Sequence, residues 1–203
     1  MTDICPVHNI LLRKSDGMSA KLTYASLPVE IKKIANESLG LGVLKSLFNY
    51  SHTYHLMIKI SDGAFIGFVL YHFHNTRLTG GKTYVTGVID AVCVSTPYRR
   101  EGFGTLLTFG ALRKMSSYGV DRVEMILKTP NTNDRDDEPG VPLIGNEDLL
   151  YCLGFRKIKT YDNYYEQKSK KYNYDCLFCG NRPDTCKAIL YAINDKDMSG
   201  NKA

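Results

Sequence analysis

Between Thr83 and Lys128 the spacing of apolar residues changes twice, and this change constrains the fold more than any other feature of the chain. The run "TYVTGVIDAVCV" (Thr83 to Val94) has the length and the β-branched content of a long strand. From Gly104 to Tyr118 the pattern turns helical, with Leu106, Leu107, Gly110, Leu112 and Met115 at mixed intervals of three and four, and Gly119 stands where a C-terminal cap belongs. "DRVEMILK" (Asp121 to Lys128) then reads as a strand again. Strand, helix and strand in this order predict a crossover unit, with the helix on one face of a sheet.

The flanking segments predict antiparallel neighbours. After a short apolar stretch at Ile10 to Leu12, the residues Leu27, Ile31, Ile34, Leu39, Leu44 and Leu47 keep near-helical spacing, interrupted by Gly40 and Gly42; two helices joined by a glycine turn are expected. "YHLMIKI" (Tyr54 to Ile60), the turn "SDG" and "AFIGFVLYHFH" (Ala64 to His74) predict a hairpin, and "TGGK" at Thr79 to Lys82 a further turn into the strand at Thr83. The polar run 129–145 is longer than an ordinary connection. A short helix "NEDLLYCL" then stops at Gly154, and "FRKIKTY" (Phe155 to Tyr161) and "NYYEQK" (Asn163 to Lys168) complete the sheet. The fold class is α/β, a mixed and mostly antiparallel central sheet flanked by helices. Residues 1–168 are read as one domain. From Ser169 the composition shifts, and 169–203 are read as a tail or appendage that holds half of the six cysteines, with a helix expected around Ala188 to Ile193.

Composition excludes several classes. With 203 residues, 43% of them hydrophobic and 23% charged, the chain can bury a real core. No stretch approaches the roughly 18 uncharged apolar residues of a membrane span, and the N-terminus lacks a basic start followed by an apolar core. Six scattered cysteines do not make a disulfide framework. The expected location is therefore cytoplasmic, with no membrane partner. A net charge of +5, spread along the chain rather than gathered in a block, argues against nucleic-acid binding by bulk charge.

The strand ending at Val94 delivers the chain into "STPYRREGFGT", whose glycines come where a helix starts. Backbone N–H groups at a helix N-terminus are unpaired and carry the positive end of its dipole, so they form a natural seat for phosphate. Gly102 and Gly104 allow close approach or positive φ, and Arg99 and Arg100 add charge of the right sign. A tight strand-to-helix turn with solvated arginines is the alternative reading of the same residues. Two other phosphate motifs do not fit. A dinucleotide fingerprint needs a third glycine where Leu107 stands, and a P-loop needs Lys before the Ser or Thr, whereas Thr105 follows Gly104 directly.

The stretch resembles the signature of the Gcn5-related N-acetyltransferases, which is Arg or Gln, two residues, Gly, one residue, then Gly or Ala. It stands here as Arg99, Arg100, Glu101, Gly102, Phe103, Gly104. The order of elements from about Ile10 to Gln167 is similar to that family, and so is "YCLGF" (Tyr151 to Phe155), where a helix ends in Gly-Phe before a strand. The resemblance implies an N-acetyltransferase that passes an acetyl or related acyl group from acetyl-CoA to a primary amine of a small molecule or protein, by direct attack. It implies that Arg99 to Thr105 cradle the pyrophosphate and that Val92, Cys93 and Val94 pair their backbone with the pantetheine arm, a backbone N–H there polarising the thioester carbonyl. Cys93 is then core packing, since no covalent enzyme intermediate is needed.

An alkylammonium must lose a proton before it attacks. Asp90, the one acid in the strand Val85 to Val94, stands where the family often carries an acid and is the candidate base; a solvent-facing Asp is the alternative. His72 and His74 share one face of the neighbouring strand and would relay protons or bind substrate, unless they are structural or surface histidines. The family's thiolate-protonating tyrosine lies four residues before the Gly of "GF", which is Leu150 here; its neighbour Tyr151 is the candidate acid, with water or another tyrosine as alternatives. Asp134, Asp136, Asp137 and Glu138 would attract a cationic acceptor if they lined the cleft, or are solvated loop charges.

"CLFC" (Cys176, Cys179), Cys186 and "CPVH" (Cys5, His8) could supply tetrahedral zinc only if the termini met; reduced thiols are the simpler reading, and no metal ligand is assigned. The alternative function class is a catalytically silent CoA-binding member, or a chain whose Tyr-rich basic segment 161–175 binds a partner or nucleic acid.

Overall fold

The computed structural model describes residues 10–11, 22–48, 54–61, 63–129, 147–162 and 187–199. In chain order the elements are β1 (Ile10–Leu11), α1 (Val29–Leu39), α2 (Val43–Leu47), β2 (Tyr54–Ser61), β3 (Ala64–Arg77), β4 (Thr83–Val94), α3 (Phe103–Ser117), β5 (Arg122–Thr129), α4 (Glu147–Cys152), β6 (Arg156–Tyr161), β7 (Lys187–Asn194) and α5 (Asp195–Ser199). Gly42 takes the left-handed conformation between α1 and α2, and Gly119 does so after α3 (φ 79° and 70°), so each glycine ends or starts a helix where the sequence places it. Among the described residues no helix is long and apolar enough to cross a membrane.

The strands form a seven-stranded sheet in the order β1-β2-β3-β4-β5-β7-β6. Every neighbouring pair is antiparallel except β4 and β5, which are joined by α3 as the crossover. One face is covered by α3 and α4, whose Leu107, Ala111, Leu112, Met115 and Leu150 pack on Val69, Tyr71, Ile89 and Val123. The other face is covered by α1 and α2, whose Ile31, Ile34, Ala35 and Leu44 pack on Phe68, Leu70, Ala91 and Cys93. Burial on both faces makes the central strands read as near-continuous apolar runs.

That property explains the main correction to the sequence reading. Ala188 to Ile193, expected as a helix, are strand β7, inserted between β5 and β6. Ile189, Tyr191 and Ile193 face the α3 side, while Ala188 and Ala192 are buried as well. An apolar run buried on both faces has no period that distinguishes strand from helix. Residues 187–194 therefore belong to the sheet rather than to an appendage. Tyr161, at the end of β6, pairs with Ala188, near the start of β7. The strand expected at Asn163 to Lys168 lies outside the described residues.

The parallel pair β4–β5 is short. Only Thr86–Ile89 have register partners, Arg122–Met125, although β4 runs on to Val94 and β5 to Thr129. Asp121 clamps the closed end: its N–H donates to Val85 O (2.9 Å) and its carboxylate accepts from Val85 N–H (2.8 Å). On its other side β4 stays paired with β3 from Thr83 to Val94. That continuity requires a glycine at 67, because a Cβ there would stand 2.5 Å from Cys93 O and 3.1 Å from Leu107 Cδ1. At Gly87 the corresponding obstacle, at 2.7 Å, is Met115 Sδ, near the end of a flexible side chain. Gly67→Ala is expected to lower stability by about 1–3 kcal/mol, and Gly87→Ala by less. Urea unfolding of the two variants measures this, and equal losses would contradict the distinction between backbone and side-chain obstruction.

Candidate active site

The register of β3 on β4 sets Asp90 apart. Leu70 pairs with Ala91 and Tyr71 with Ile89, so Asp90 is the extra residue of a β-bulge. Ile89 consequently packs on the α3 side while Ala91 and Cys93 pack on the α1 side; in an unbroken strand the three would share one face. Val92 and Val94 return to the α3 side, opposite Cys93. On β3, Tyr71 and Phe73 face α3, and alternation turns His72 the other way. There its Nδ1 lies 2.7 Å from Asp90 Oδ2, with the two side chains 7% and 11% exposed. A carboxylate this buried needs a partner. Against an ionised carboxylate, which only accepts, His72 Nδ1 is the donor of this bond. His74 is exposed, its ring centroid 6.5 Å from that of His72.

Beyond Val94, Ser95 N–H donates to Ile66 O (2.8 Å), a 3₁₀ turn spans Thr96–Tyr98, and Arg100 and Gly102 (φ 67° and 81°) swing the chain into α3. Gly102 is the N-cap and makes no side-chain capping bond. Leu106 N–H reaches Gly102 O at 3.0 Å, so the N–H groups of Phe103, Gly104 and Thr105 have no partner within the helix. Gly102 needs to be glycine for its positive φ. Gly104 does not: a Cβ there would come no closer than 3.9 Å to Val94 Cγ2. Its missing side chain leaves room above an uncapped helix start, which is the form of an anion seat. Phe103 flanks the loop, with its ring edge-on to Tyr98 at 6.2 Å.

The two arginines differ. Arg99 turns inward, Nε donating to Val94 O (3.1 Å) and Nη2 to Ser38 Oγ (3.2 Å), which ties the end of β4 to α1. Arg100 and Glu101 are exposed.

On the α3 side, α4 turns Leu150 into the core (1% exposed) and Tyr151 outward (50% exposed). The Tyr151 ring meets that of Tyr191 on β7 edge-on, at 5.9 Å between centroids. Tyr191 is absent from the sequence-based candidates because its segment reads as a helix. The one signal there was a tyrosine inside an otherwise aliphatic run.

Among the described residues no group of three or more His, Cys, Asp and Glu side chains could hold a metal ion. Cys5, His8, Cys176, Cys179 and Cys186 lie outside the described residues, as do Asp134, Asp136, Asp137 and Glu138.

The place where β4–β5 pairing ends, beside an uncapped, glycine-led helix start, is the candidate ligand site. The chain belongs to the acetyltransferase (GNAT) family, whose model matches residues 29–136. Solved structures agree on the fold. A GNAT family acetyltransferase from Elizabethkingia anophelis, solved with acetyl-CoA bound, is 16% identical; the match covers 84% of this chain and 93% of that one, with a TM-score of 0.57. The ribosomal-protein-S18-alanine N-acetyltransferase from Escherichia coli is 16% identical, over 86% and 91% of the two chains, with a TM-score of 0.54. The IAA acetyltransferase from Bacillus cereus is 18% identical, over 85% and 95%, with a TM-score of 0.54. No curated protein matches the sequence.

Cys93 sits within this region but is fully enclosed. Burial pushes its thiol up to about 12, against smaller opposing effects of Ser38 and Arg99. Burial disfavours the charged form, so the sulfur stays a thiol at neutral pH and is a poor nucleophile. Alkylation of the native protein, read by peptide mapping, is expected to modify exposed Cys152 and to spare Cys93 until the chain is unfolded. Rapid native labelling of Cys93 would contradict its place in the core.

Proposed function

We propose that the chain transfers an acetyl or related acyl group from acetyl-CoA to a primary amine, by direct attack and without a covalent enzyme intermediate. The observation that carries this reading is the β4 edge beyond Ile89, which has no strand partner on the β5 side, runs past a buried His–Asp pair and ends at an uncapped helix start. The N–H groups of Gly102 to Thr105 suit the pyrophosphate of the donor, and the backbone of Val92, Cys93 and Val94 suits the amides of its pantetheine arm. The residues present fit such a ligand because the space above Gly104 is not claimed by the protein.

The Asp90–His72 pair then accepts the proton that an alkylammonium must lose before its nitrogen attacks the thioester carbon. Asp90 orients the imidazole and stabilises its positive charge, and His72 relays the proton, directly or through water. Backbone N–H groups on the β4 edge are suited to the developing oxyanion. Tyr151 is the candidate on α4 for returning a proton to the departing thiolate side. The acceptor is a small amine or a protein amine, and the acidic run at 134–138 favours a cationic one.

A second reading has its own observation. Leu150 fills, from inside the core, the position where the family carries a tyrosine, so the chain would bind CoA and catalyse nothing. Thiol release from acetyl-CoA, measured across polyamines, aminoglycosides and peptides with basic or free N-terminal residues, separates the two. Turnover on any amine supports the enzyme reading; tight CoA binding with no turnover supports the silent one. For an active enzyme, Asp90→Asn is expected to lower kcat about 10²- to 10⁴-fold with little change in the KM for acetyl-CoA. An unchanged kcat would remove the pair from the mechanism.

A further inference from the structure

Lysine and arginine are spread along the chain, but the acids that offset them are not. Within residues 156–171, Arg156, Lys157, Lys159, Lys168, Lys170 and Lys171 stand against Asp162 and Glu166, an excess of +4 in a chain whose net charge is +5. The described part of that stretch is β6, whose Arg156, Lys157 and Lys159 have no acid among them. The ion pairs of the described residues, His72–Asp90 and Arg122–Glu124, leave all three out.

Strand β6 is the last of the sheet, and among the described residues no strand pairs with its outer edge. Its first five residues, 156–160, are all exposed. Pairing with β7 sets where the charges point. Lys157 stands opposite Tyr191, which packs on the α3 side, whereas Arg156 stands opposite Ala192 and Lys159 opposite Leu190. Cross-strand partners share a face, so Lys157 lies on the α3 side and Arg156 and Lys159 on the α1 side. Between the two lysines the register shifts, and Ile158, 51% exposed, is the extra residue of a bulge. Charge on an edge strand keeps foreign strands from adding to it. Either sign serves that purpose, so it does not explain three cations where the net charge of the chain gathers.

We propose that the outer edge of β6 docks single-stranded nucleic acid, with Arg156, Lys157 and Lys159 on its phosphates. Cations that neutralise phosphates release condensed counterions, which gives binding without reading sequence. An acidic peptide fits this edge less well. Added as a strand it would need an unbroken register, and the bulge at Ile158 interrupts it. A duplex is stiff over so short a span. A single strand can bend around the edge and bring phosphates to the cations on both faces. Two strands, β7 and β5, separate this edge from β4, so docking here does not depend on the acyltransferase reading.

Fluorescence anisotropy of a labelled oligouridylate of about twenty nucleotides, titrated with the full chain at several salt concentrations, tests this. A Kd of about 10⁻⁵ M is expected at physiological salt. The triple variant Arg156→Gln, Lys157→Gln, Lys159→Gln is expected to bind about ten-fold more weakly or worse. Its slope of log K against log salt should be shallower by about 2, since each phosphate contact on a single strand contributes about 0.7. A second triple variant, Lys33→Gln, Arg113→Gln, Lys196→Gln, removes the same charge from exposed positions elsewhere and is expected to keep the wild-type slope. Equal losses in the two variants assign the binding to bulk charge and overturn the docking surface, as does a wild-type chain that binds no oligouridylate at low salt. Tighter binding of polyglutamate, or of vesicles made from phosphatidylcholine and phosphatidylserine, overturns the nucleic-acid assignment in favour of an acidic protein or a membrane. Both variants are expected to melt with the wild type. Should the β6 triple variant melt early, its three single substitutions carry the test, each expected to change the slope by about 0.7, and unchanged slopes overturn the proposal.

Discussion

Four register pairs hold β4 to β5, and the point at which they stop decides the shape of the site. Backbone donors and acceptors do not tolerate burial without partners, so the sheet cannot open by accident in its middle. It opens here because each end of β4 is held by something else. Asp121 makes two hydrogen bonds to Val85 at the closed end, and Arg99 takes the carbonyl of Val94 at the other. Between them, the glycine at 67 lets β3 stay against β4 beneath α3. With one edge fully occupied by β3, the opposite edge of residues 90–94 faces the gap, and an extended ligand bearing amides can complete it as a strand would.

The bulge at Asp90 lies at the same point, and the coincidence has a physical consequence. One extra residue reverses which side chains face which layer. It sends Ala91 and Cys93 to the α1 side and gives Val92 and Val94 to the α3 side. It also places a carboxylate against His72 on the strand to which the bulge is not bonded in register. A buried ion-pairing group at an irregular strand position is costly to build. Here it stands where the sheet is already interrupted, so the rest of the core keeps regular packing.

The sequence made much of this legible, and the limits have definite causes. Strand β4, helix α3 and the glycine that ends it were readable because one face of α3 is apolar and β4 is long and β-branched. Asp90 was readable because a lone acid in such a strand demands an explanation. The bulge was not, since it exists only in the pairing with β3, and with it the meeting of Asp90 and His72 was hidden. Strand β7 reads as a helix in the sequence because both of its faces are buried. The same ambiguity hides Tyr191 and makes residues 187–194 look like an appendage. Leu150 stands out in the sequence as a departure from the family pattern, but its inward orientation depends on which way α4 is rotated.

The motif residues themselves divide into those whose type matters for their own conformation and those whose type matters for what they leave vacant. Gly102 is required by a φ of 81°, and Arg99 holds the end of β4 through a carbonyl and a hydroxyl rather than facing outward. Gly104 satisfies neither need, since its backbone is ordinary helix and no neighbour crowds it. An anion at this helix start would be met first by N–H groups whose positions are set by the helix, with no side-chain freedom to lose. A side chain at 104 would stand in the space those groups point into. The arginine of the signature thus shapes the loop from behind, and the glycine that has no conformational reason to be glycine is the residue that most directly implies a ligand.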